Sequence, residues 1–594
     1  MSNPPPSRFT GWRPWVALFG GQLALLLVAA ARNTDQLNTD GIAYLRLAHY
    51  YAHGPLPLAV SGYWGPLLSW LLAPLLAAGV APLIAARMVM AGTAMVYLAG
   101  GAAFLRALGL PRPATLAGSA LAALAAVAWS VEFISPDLLV AGLMLLALAV
   151  WLKANADGAN RRALLAGGLW GVAYLAKAVA LPLAAGWGAL TAAAWWWRRR
   201  EPVATLGRRL LLMGGACALV AAPWIATLSL KYGRFTFSTS ARAAHAVVGP
   251  KDQDRYHPFA RQLYHPEPGR ITAWEDPTSL PYATWSPFAS ARNFRHQLGV
   301  IARNIGTAGY LLGSFDLLHL GVLSAVLWGV LGGVGKIRKP GAGGPKESRK
   351  PKAESRKENG AARGAAPREE DGDWEPWVGG VATLLLAGLA GVYLPGYLER
   401  VDQRYFYAAL PLLFAATVAG ASLLRRWLVG RAALVARLAG SVVAISFATP
   451  ILLNAALALP GLPHPAAIVA RELAAGIRAT KRPGPVAGSG LLAGNRVGLF
   501  VAWFLEQPWY GDRPRATPGD FAAIGARWVL VRARRPVAAQ LAADPRFSER
   551  TRGILGARFP DVPPEQLPLR LFERRDCPPP RPAPSDAARG GEQF

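Results

Sequence analysis

Residues 82–152 read PLIAARMVMAGTAMVYLAGGAAFLRALGLPRPATLAGSALAALAAVAWSVEFISPDLLVAGLMLLALAVWL, and this stretch decides the fold. It holds three successive apolar runs, 82–105, 114–132 and 135–152, separated by short polar breaks. Apolar runs of about 18 or more residues are typical of membrane-spanning helices, because each helix must satisfy its own backbone hydrogen bonds across about 30 Å of hydrocarbon. The stretch therefore predicts three consecutive helices that cross a membrane.

The same pattern continues over most of the 594 residues, of which 53% are hydrophobic and 16% charged. With the N-terminus in the cytoplasm, the basic breaks between runs fall on the cytoplasmic side, which explains the net charge of +29 without nucleic acid. The apolar run 66–78 is too short to span, and it predicts a helix on the outer membrane surface or re-entering it. We predict about 11 spans, namely the three above and 15–31, 163–178, 179–197, 208–229, 304–332, 377–396, 406–424 and 432–456.

This topology predicts a mainly α, polytopic membrane helix bundle with a small C-terminal soluble α/β domain. The membrane domain is 1–456, with outer loops 32–81 and 230–303 and a Lys-, Glu-, Gly- and Pro-rich cytoplasmic linker, 335–373, that we expect to be disordered. Residues 457–576 alternate helical and strand patterns, which predicts a small α/β domain. We expect this domain either to bind an acceptor glycan or to cap the bundle. Residues 577–594 are a Pro-rich tail that we expect to be disordered. High Ala, Arg, Gly and Pro favours a bacterial plasma (inner) membrane with periplasm-facing loops.

Two acids stand at the outer ends of predicted helices. Asp40 follows Asn38 and Thr39 at the start of a helical pattern, and Asp137 follows Pro136 at the start of a span. Each could be a helix N-cap. A carboxylate near hydrocarbon is costly and usually functional, and two such acids could share the tasks of base and ligand or hold a divalent cation. Glu132 is the reserve candidate.

Two cations stand on the same side, against the positive-inside bias. Lys177 ends the fifth predicted span, and Arg404 precedes the tenth together with Arg400. Cations here suit an anionic ligand such as a lipid phosphate. The alternatives are that Lys177 snorkels to the interface and that Glu399 and Asp402 pair with the arginines.

The second outer loop combines basic and aromatic side chains, which fit a phosphate and a sugar better than nucleic acid. Its histidines, His245, His257, His265 and His296, lack the spacing of a zinc site. The basic and aromatic residues are Arg242, Lys251, Arg255, Arg261, Arg270, Arg292, Arg295, Tyr256, Tyr264, Trp274 and Trp285.

The order of these features resembles the GT-C glycosyltransferases, in the branch of protein O-mannosyltransferases and bacterial aminoarabinose transferases. Many relatives carry a second acid after the first, where this chain has Gly41, and a basic residue before the Pro of the loop-closing helix, where it has Gly65. The resemblance covers about 15–456 and consists, in order, of Asp40, the helix 63–71 with Pro66, Arg87, Pro136-Asp137, Ala176-Lys177, a large loop and Arg404-Tyr405-Phe406 before Leu410-Pro411.

The resemblance implies transfer of a sugar, with inversion, from a polyprenyl phosphate carrier to a glycan, lipid or protein acceptor on the extracytoplasmic side. Asp40 is implied as the acid that deprotonates or orients the acceptor hydroxyl, and Asp137 as a second acid of the site. Lys177 and Arg404 are implied as ligands of the carrier phosphate.

A further substrate-binding candidate is Tyr405 of the same motif. Tyr63, His53 or the basic second loop could replace the missing basic residue before Pro66. A divalent metal held by Asp40 and Asp137 is the one cofactor that remains open. The alternative functions are a surface-glycan ligase or polymerase, and a lipid or solute transporter, although the sequence shows no internal duplication.

Overall fold

The computed structural model describes residues 11–153, 158–250, 262–333, 374–396, 398, 403–427, 432–461, 464–490, 497–555 and 568–576. The predictions for the linker 335–373 and the tail 577–594 fall outside these residues. The helices are α1 (Arg13–Arg32), α2 (Thr39–His53), α3 (Leu56–Ala59), α4 (Leu67–Ala77), α5 (Pro82–Leu108), α6 (Arg112–Glu132), α7 (Asp137–Leu152), α8 (Ala159–Ala176), α9 (Ala180–Arg199), α10 (Val203–Tyr232), α11 (Ser240–Ala246), α12 (Ala291–Gly313), α13 (Leu320–Gly333), α14 (Trp374–Tyr393), α15 (Ala409–Trp427), α16 (Ala432–Ala458), α17 (Pro465–Ala479), α18 (Val497–Leu505), α19 (Pro518–Ala523), α20 (Pro536–Ala543) and α21 (Thr551–Leu555). The strands are β1 (Val486–Ser489), β2 (Trp509–Asp512), β3 (Trp528–Arg532), β4 (Phe547–Glu549) and β5 (Leu569–Arg574).

Among the described residues, seven helices are long and apolar enough to cross a membrane, so the predicted count of eleven is not confirmed. Three shorter apolar helices, Leu67–Ala77, Asp137–Leu152 and Leu320–Val330, fall below that length. The seven are Arg13–Arg32, Pro82–Leu108, Arg112–Glu132, Val203–Tyr232, Glu375–Tyr393, Ala409–Arg426 and Arg437–Ala458.

The apolar run 304–332 is not one helix, which corrects the prediction of a single span there. The chain leaves α12 at Gly313 and enters α13 at Leu320. The buried Asp316 between them accepts hydrogen bonds from the backbone N–H of Leu320 at 2.7 Å and from the Ser446 hydroxyl at 2.8 Å. The carboxylate thereby accepts a hydrogen bond from a free backbone N–H at the start of α13, and its bond to Ser446 holds the break between α12 and α13 against the middle of α16.

Helix α7 lies at the centre of the bundle, and almost all of its residues are buried. It crosses α5 at a glycine pair: a Cβ on Gly100 would lie 2.3 Å from the carbonyl oxygen of Gly142. Small residues at such a crossing let two backbones approach and pack closely. The first residue of α7, Asp137, is thereby held inside the bundle.

The C-terminal region forms one five-stranded sheet of order β2-β1-β3-β5-β4. Strand β1 runs parallel to β2 and β3, whereas β5 is antiparallel to β3 and β4. Helices flank this sheet, as the predicted α/β pattern requires. The predicted boundary at 456/457 lies at the end of α16, where Asn33 Nδ2 donates to the Ala458 carbonyl at 2.7 Å.

The sheet is joined to the second long loop through its β2 edge. The backbone N–H of Tyr264 donates to the Tyr510 carbonyl at 3.0 Å, and the N–H of Trp509 donates to the Ile271 carbonyl at 2.7 Å. The loop, the sheet and α2 therefore lie together at one end of the bundle, the end at which α1 ends and α5 begins. We call this the loop end.

Candidate active site

Four charged side chains from four separate segments meet at the loop end. The Arg404 guanidinium lies 2.6 Å from the Asp40 carboxylate, and its Nε lies 3.8 Å from Asp137. The Lys177 ammonium is paired with the other oxygen of Asp137. The side chains of Asp137 and Arg404 are 4% and 11% exposed, so these charges are held largely out of water and attract each other strongly. We call Asp40, Asp137, Lys177 and Arg404 the charge cluster.

The ends of three helices bring these groups together. Asp40 lies in the first turn of α2, Asp137 begins α7, and Lys177 is the residue directly after α8. Arg404 lies in a 3-10 turn, Gln403–Phe406, directly before α15. Acids in a first helical turn face the positive end of the helix dipole, which favours their ionised form. Neither acid is an N-cap, because the N-cap residues are Asn38 for α2 and Pro136 for α7 and neither helix has a side-chain cap hydrogen bond, so the N-cap hypothesis for Asp40 and Asp137 is wrong.

Asn38 fixes the distance between the two acids. Its Oδ1 accepts the backbone N–H of Ile134 at 2.9 Å, and its Nδ2 donates to the Ile134 carbonyl at 3.4 Å. Arg87 adds a second tie, since its guanidinium donates to the carbonyls of Val131 at 2.9 Å and Gln36 at 2.8 Å. The segment before Asp40 is therefore bonded directly to the segment before Asp137.

Both glycines that depart from the family pattern mark close contacts. A Cβ on Gly41 would lie 2.8 Å from the Ile134 Cβ, so no second acid fits after Asp40. A Cβ on Gly65 would lie 2.3 Å from the Ala176 carbonyl oxygen, so no basic side chain fits there either. Lys177 directly follows Ala176, so the end of α8 brings a cation close to Gly65 instead.

Trp274 is a residue of the second long loop that touches the cluster directly. Its indole N–H donates to Asp40 Oδ1 at 3.3 Å, and its backbone carbonyl accepts the Trp64 indole N–H at 2.8 Å. The sequence placed Trp274 only among the aromatic residues of its loop. Because its indole N–H bonds Asp40, Trp274 belongs to the candidate site, and the sequence analysis did not single it out.

Two acids anchor Trp274 from either side. Glu275 is fully buried and accepts hydrogen bonds from the Tyr50 hydroxyl at 2.8 Å and the Ile271 N–H at 2.9 Å. Burial raises the pKa of Glu275, although Arg46 and Arg270 oppose the rise.

On the other side of Trp274, Asp276 accepts from the Lys231 ammonium at 2.6 Å and from the Tyr232 hydroxyl. The loop is therefore bonded both to α2 and to the end of α10.

Aromatic side chains line the cluster. The Lys177 ammonium lies 4.4 Å from the Tyr405 ring centre, and Tyr63 lies 5.3 Å from the Trp274 ring. Tyr44, one helical turn after Asp40, is fully buried, and its pKa is raised well above its ordinary value by burial and by the carboxylates of Asp137 and Asp40. The raised pKa keeps the Tyr44 phenol protonated beside the two carboxylates of the charge cluster.

The remaining predicted residues do not join the cluster. His53 lies at the other end of α2, about 20 Å from Asp40 along the helix axis at about 1.5 Å per residue, so its predicted place beside the carrier phosphate is not supported. Glu132 is exposed at the end of α6. Arg400, Glu399 and Asp402 lie outside the described residues, as do Lys251, Arg255, Tyr256, His257 and Arg261 of the second loop.

The donor set does not fit a divalent metal in this arrangement. Both carboxylates are already engaged, Asp40 by Arg404 and Trp274, and Asp137 by Lys177. Among the described residues no group of three or more His, Cys, Asp and Glu side chains is placed to hold a metal ion. A divalent ion would have to displace two cations before it could take its oxygen ligands.

Comparison with solved structures identifies the fold. ArnT from Cupriavidus metallidurans bound to undecaprenyl phosphate matches with a TM-score of 0.51 and 15% identity, over 95% of this chain and 98% of that chain. The apo state of the same ArnT gives 0.43 and 16%, over 89% and 95%. The oligosaccharyltransferase of Archaeoglobus fulgidus tethered with an acceptor peptide gives 0.47 and 10%, over 89% and 70%. No protein-family model and no curated protein sequence matches this chain.

The match to the first of these structures extends over nearly the whole length of both chains. Together with the seven apolar helices among the described residues, it shows that the chain is a multi-pass membrane protein that shares its fold with this ArnT.

Proposed function

We propose that this protein is an inverting glycosyltransferase that moves a sugar from a polyprenyl phosphate carrier to an acceptor glycan, lipid or protein. The observation that carries the proposal is the charge cluster, in which two cations and two carboxylates converge at one end of a membrane bundle. Intramembrane and interfacial charges of this kind are costly and are usually kept for function. The shared fold with an ArnT bound to undecaprenyl phosphate supports a lipid phosphate as the donor group.

The cluster supplies the two groups that the reaction needs. Lys177 and Arg404 would bind the carrier phosphate, while Asp40 accepts the proton of the acceptor hydroxyl. The hydroxyl oxygen forms a bond to the anomeric carbon from the face opposite the phosphate, and the bond from that carbon to the phosphate oxygen breaks. The phosphate leaves with the electron pair, and the cations stabilise the negative charge that develops on it.

The ion pairs of the charge cluster hold these four groups close together. Each cation is now balanced by a carboxylate, so no uncompensated charge is buried. A bound phosphate would draw Arg404 away from Asp40, and the carboxylate would then be available to the acceptor. Asp137, held by Lys177 and close to Arg404, acts as the second acid that keeps both cations in place.

The same proposal places the site on the periplasmic face of a bacterial inner membrane. The basic breaks at Arg106 and Arg112 lie at the ends of α5 and α6 opposite to the loop end, which fits a cytoplasmic position by the positive-inside rule. The loop end, with the charge cluster and the C-terminal sheet, would then face outward. Polyprenyl-linked sugars presented there would reach the cluster from the membrane.

The test is transfer of label by the purified full-length protein. Radiolabelled polyprenyl phosphate sugars are offered with membrane extracts as acceptors, and the matching nucleotide sugars are offered in parallel. We expect label to move from at least one lipid-linked donor and from no nucleotide sugar. Transfer from nucleotide sugars alone, or from no donor in the panel, would contradict the proposal.

A further inference from the structure

Helix α12 turns polar side chains inward and several apolar ones outward. Gln297 and Asn304 are buried, whereas Leu298 and Ile305 are exposed. Apolar side chains are compatible with lipid, but a buried amide costs free energy unless it is hydrogen-bonded. Gln297 and Asn304 are about two helical turns apart, so they point to the same side of the helix. The partners of these two amides therefore show what this face of α12 holds.

Both amides bond the three residues that directly follow α14. Gln297 Nε2 donates to the Pro395 carbonyl at 2.9 Å. Asn304 Nδ2 donates to the carbonyls of Leu394 at 2.9 Å and Gly396 at 2.6 Å. Carbonyls at and beyond the C-terminus of a helix have no intrahelical partner, so side-chain donors there fix the direction in which the chain leaves. We call Gln297 and Asn304 the amide clamp.

The clamped end of α14 packs on the turn that carries Arg404. Tyr393, the last residue of α14, stacks on Tyr405 with 5.3 Å between the ring centres, and it also packs on Phe406 at 5.6 Å. The Tyr405 ring centre in turn lies 4.4 Å from the Lys177 ammonium and 5.4 Å from the Arg404 guanidinium carbon. Tyr405 therefore joins the clamped end of α14 to both cations of the charge cluster.

We propose that the amide clamp positions the two cations of the charge cluster, through Tyr393 and Tyr405. This role rests on the proposed function, because its consequence is the binding of the carrier phosphate. Side chains that are held in place before a ligand arrives lose less conformational freedom on binding, so the affinity is higher. On the other side of the site, Asn38 and Arg87 hold the segments of the two acids together in the same manner.

The amide clamp is one of several ties on the turn Gln403–Phe406. The Tyr97 hydroxyl donates to the Tyr407 carbonyl at 2.8 Å, and the Arg404 guanidinium pairs with Asp40. Loss of the clamp should therefore loosen the turn without detaching it. We expect the affinity for a polyprenyl phosphate to fall about tenfold, the effect of one lost hydrogen bond.

The first measurement needs no ligand. Fluorotyrosine is placed at position 405 of the full-length protein in nanodiscs, and its fluorine NMR resonance reports the surroundings of that ring. Asn304→Leu, which removes both N–H donors, should shift or broaden the resonance, and so should Tyr393→Leu. Tyr393→Phe keeps the stacked ring and should match the wild type. The control on the same helix is Asn293→Leu, because the Asn293 amide donates to the Ser286 carbonyl instead.

The second measurement is the affinity of the same variants for a polyprenyl phosphate, beside their thermal unfolding temperatures. Asn304→Leu and Tyr393→Leu should bind about tenfold more weakly, and Gln297→Leu is the second clamp variant if Asn304→Leu does not fold. Asp316→Asn, which disturbs the break beyond the C-terminal end of α12, should lower the unfolding temperature but leave the affinity and the resonance unchanged.

The outcomes separate this proposal from the proposed transferase activity. An unchanged resonance in Asn304→Leu overturns the proposal, and so does an affinity that falls equally in Asp316→Asn, since the clamp would then only stabilise the fold. If the wild type binds no polyprenyl phosphate, the proposed donor is wrong, and the resonance alone decides whether the clamp positions Tyr405.

Discussion

The guanidinium of Arg404 lies 2.6 Å from the carboxylate of Asp40, although 364 residues of chain separate them. Because both side chains are mostly buried, removal of either partner should leave the other charge poorly balanced in a poorly solvated place, Arg404 with only Asp137 at 3.8 Å and Asp40 with only the Trp274 indole N–H. Asp40→Asn and Arg404→Gln should each lower the thermal unfolding temperature, and the double variant should lose less than the sum of the two. We expect a coupling energy of about 1 kcal/mol or more in a double-mutant cycle. Strict additivity would show that the pair contributes nothing.

Gly41 should tolerate no side chain, although it lies in a helix. A Cβ would meet Ile134 at 2.8 Å and the Asn38 side chain at 2.7 Å, which together set the spacing between Asp40 and Asp137. Gly41→Ala should therefore destabilise the protein by about 1–3 kcal/mol and reduce transfer. The matched control is Gly92→Ala in α5, where nothing lies within 4 Å, and which should be neutral or slightly stabilising. Similar effects of the two substitutions would argue against the close contact.

Trp274 should act through its indole N–H and not only through its ring. Trp274→Phe keeps an aromatic ring but removes the hydrogen bond to Asp40, so kcat should fall about tenfold with little change in KM. Trp285→Phe is the control, since the Trp285 indole in the same loop donates to the His245 carbonyl instead. A shifted pH profile of kcat/KM in the first variant alone would locate the effect at the base. Equal kinetics of both variants would reduce Trp274 to a packing residue.

The lowered pKa of His49 makes a prediction for stability. A histidine whose folded-state pKa is depressed is neutral in the fold, so the unfolded state binds more protons once the pH drops below about 6.5. The unfolding temperature of the wild type should therefore fall as the pH is lowered from 7.5 through the depressed pKa. His49→Gln should show a smaller fall, while His265→Gln, at an exposed position, should follow the wild type. The idea fails if all three proteins lose stability in parallel.

Chelation should not abolish transfer. Asp40 and Asp137 already bond Arg404, Trp274 and Lys177, and the two cations, Arg404 and Lys177, supply the positive charge that a divalent metal would otherwise bring to a phosphate. We expect the initial rate to be unchanged by EDTA. A rate that EDTA suppresses and Mg²⁺ or Mn²⁺ restores would show that the metal hypothesis for the two acids is correct after all.

The sequence was sufficient to find the four members of the charge cluster, since each is a charge at the outer end of an apolar run. It could not show how they are paired, because pairing depends on helix crossings such as that of Gly100 on Gly142. His53 was misplaced because its proximity to Asp40 in sequence does not tell which face or which end of α2 it occupies. Trp274 was not singled out because its position depends on the anchoring of a long loop by Glu275 and Asp276.

The fold was predicted best where apolar runs are long and uninterrupted. The break at Asp316 was missed because the flanking residues keep 304–332 apolar on average, and only the buried carboxylate and Ser446 reveal it. The absence of side chains at Gly41 and Gly65 looked like a departure from the family. The close contacts of Gly41 with Ile134 and of Gly65 with Ala176 show that packing requires glycine at both positions.

The most direct test is transfer from a labelled polyprenyl phosphate sugar by wild type, Asp40→Asn and Asp35→Asn. Asp35 is an acid of the same loop, but it pairs with the exposed Arg471, so its loss should matter little. The proposed role of Asp40 predicts that Asp40→Asn folds, still binds the donor and transfers label about 10²–10⁴ times more slowly, the usual contribution of a general base. Asp35→Asn should keep the wild-type rate. Full activity of Asp40→Asn would contradict the proposed role, because the carboxylate would then be no more than the start of α2.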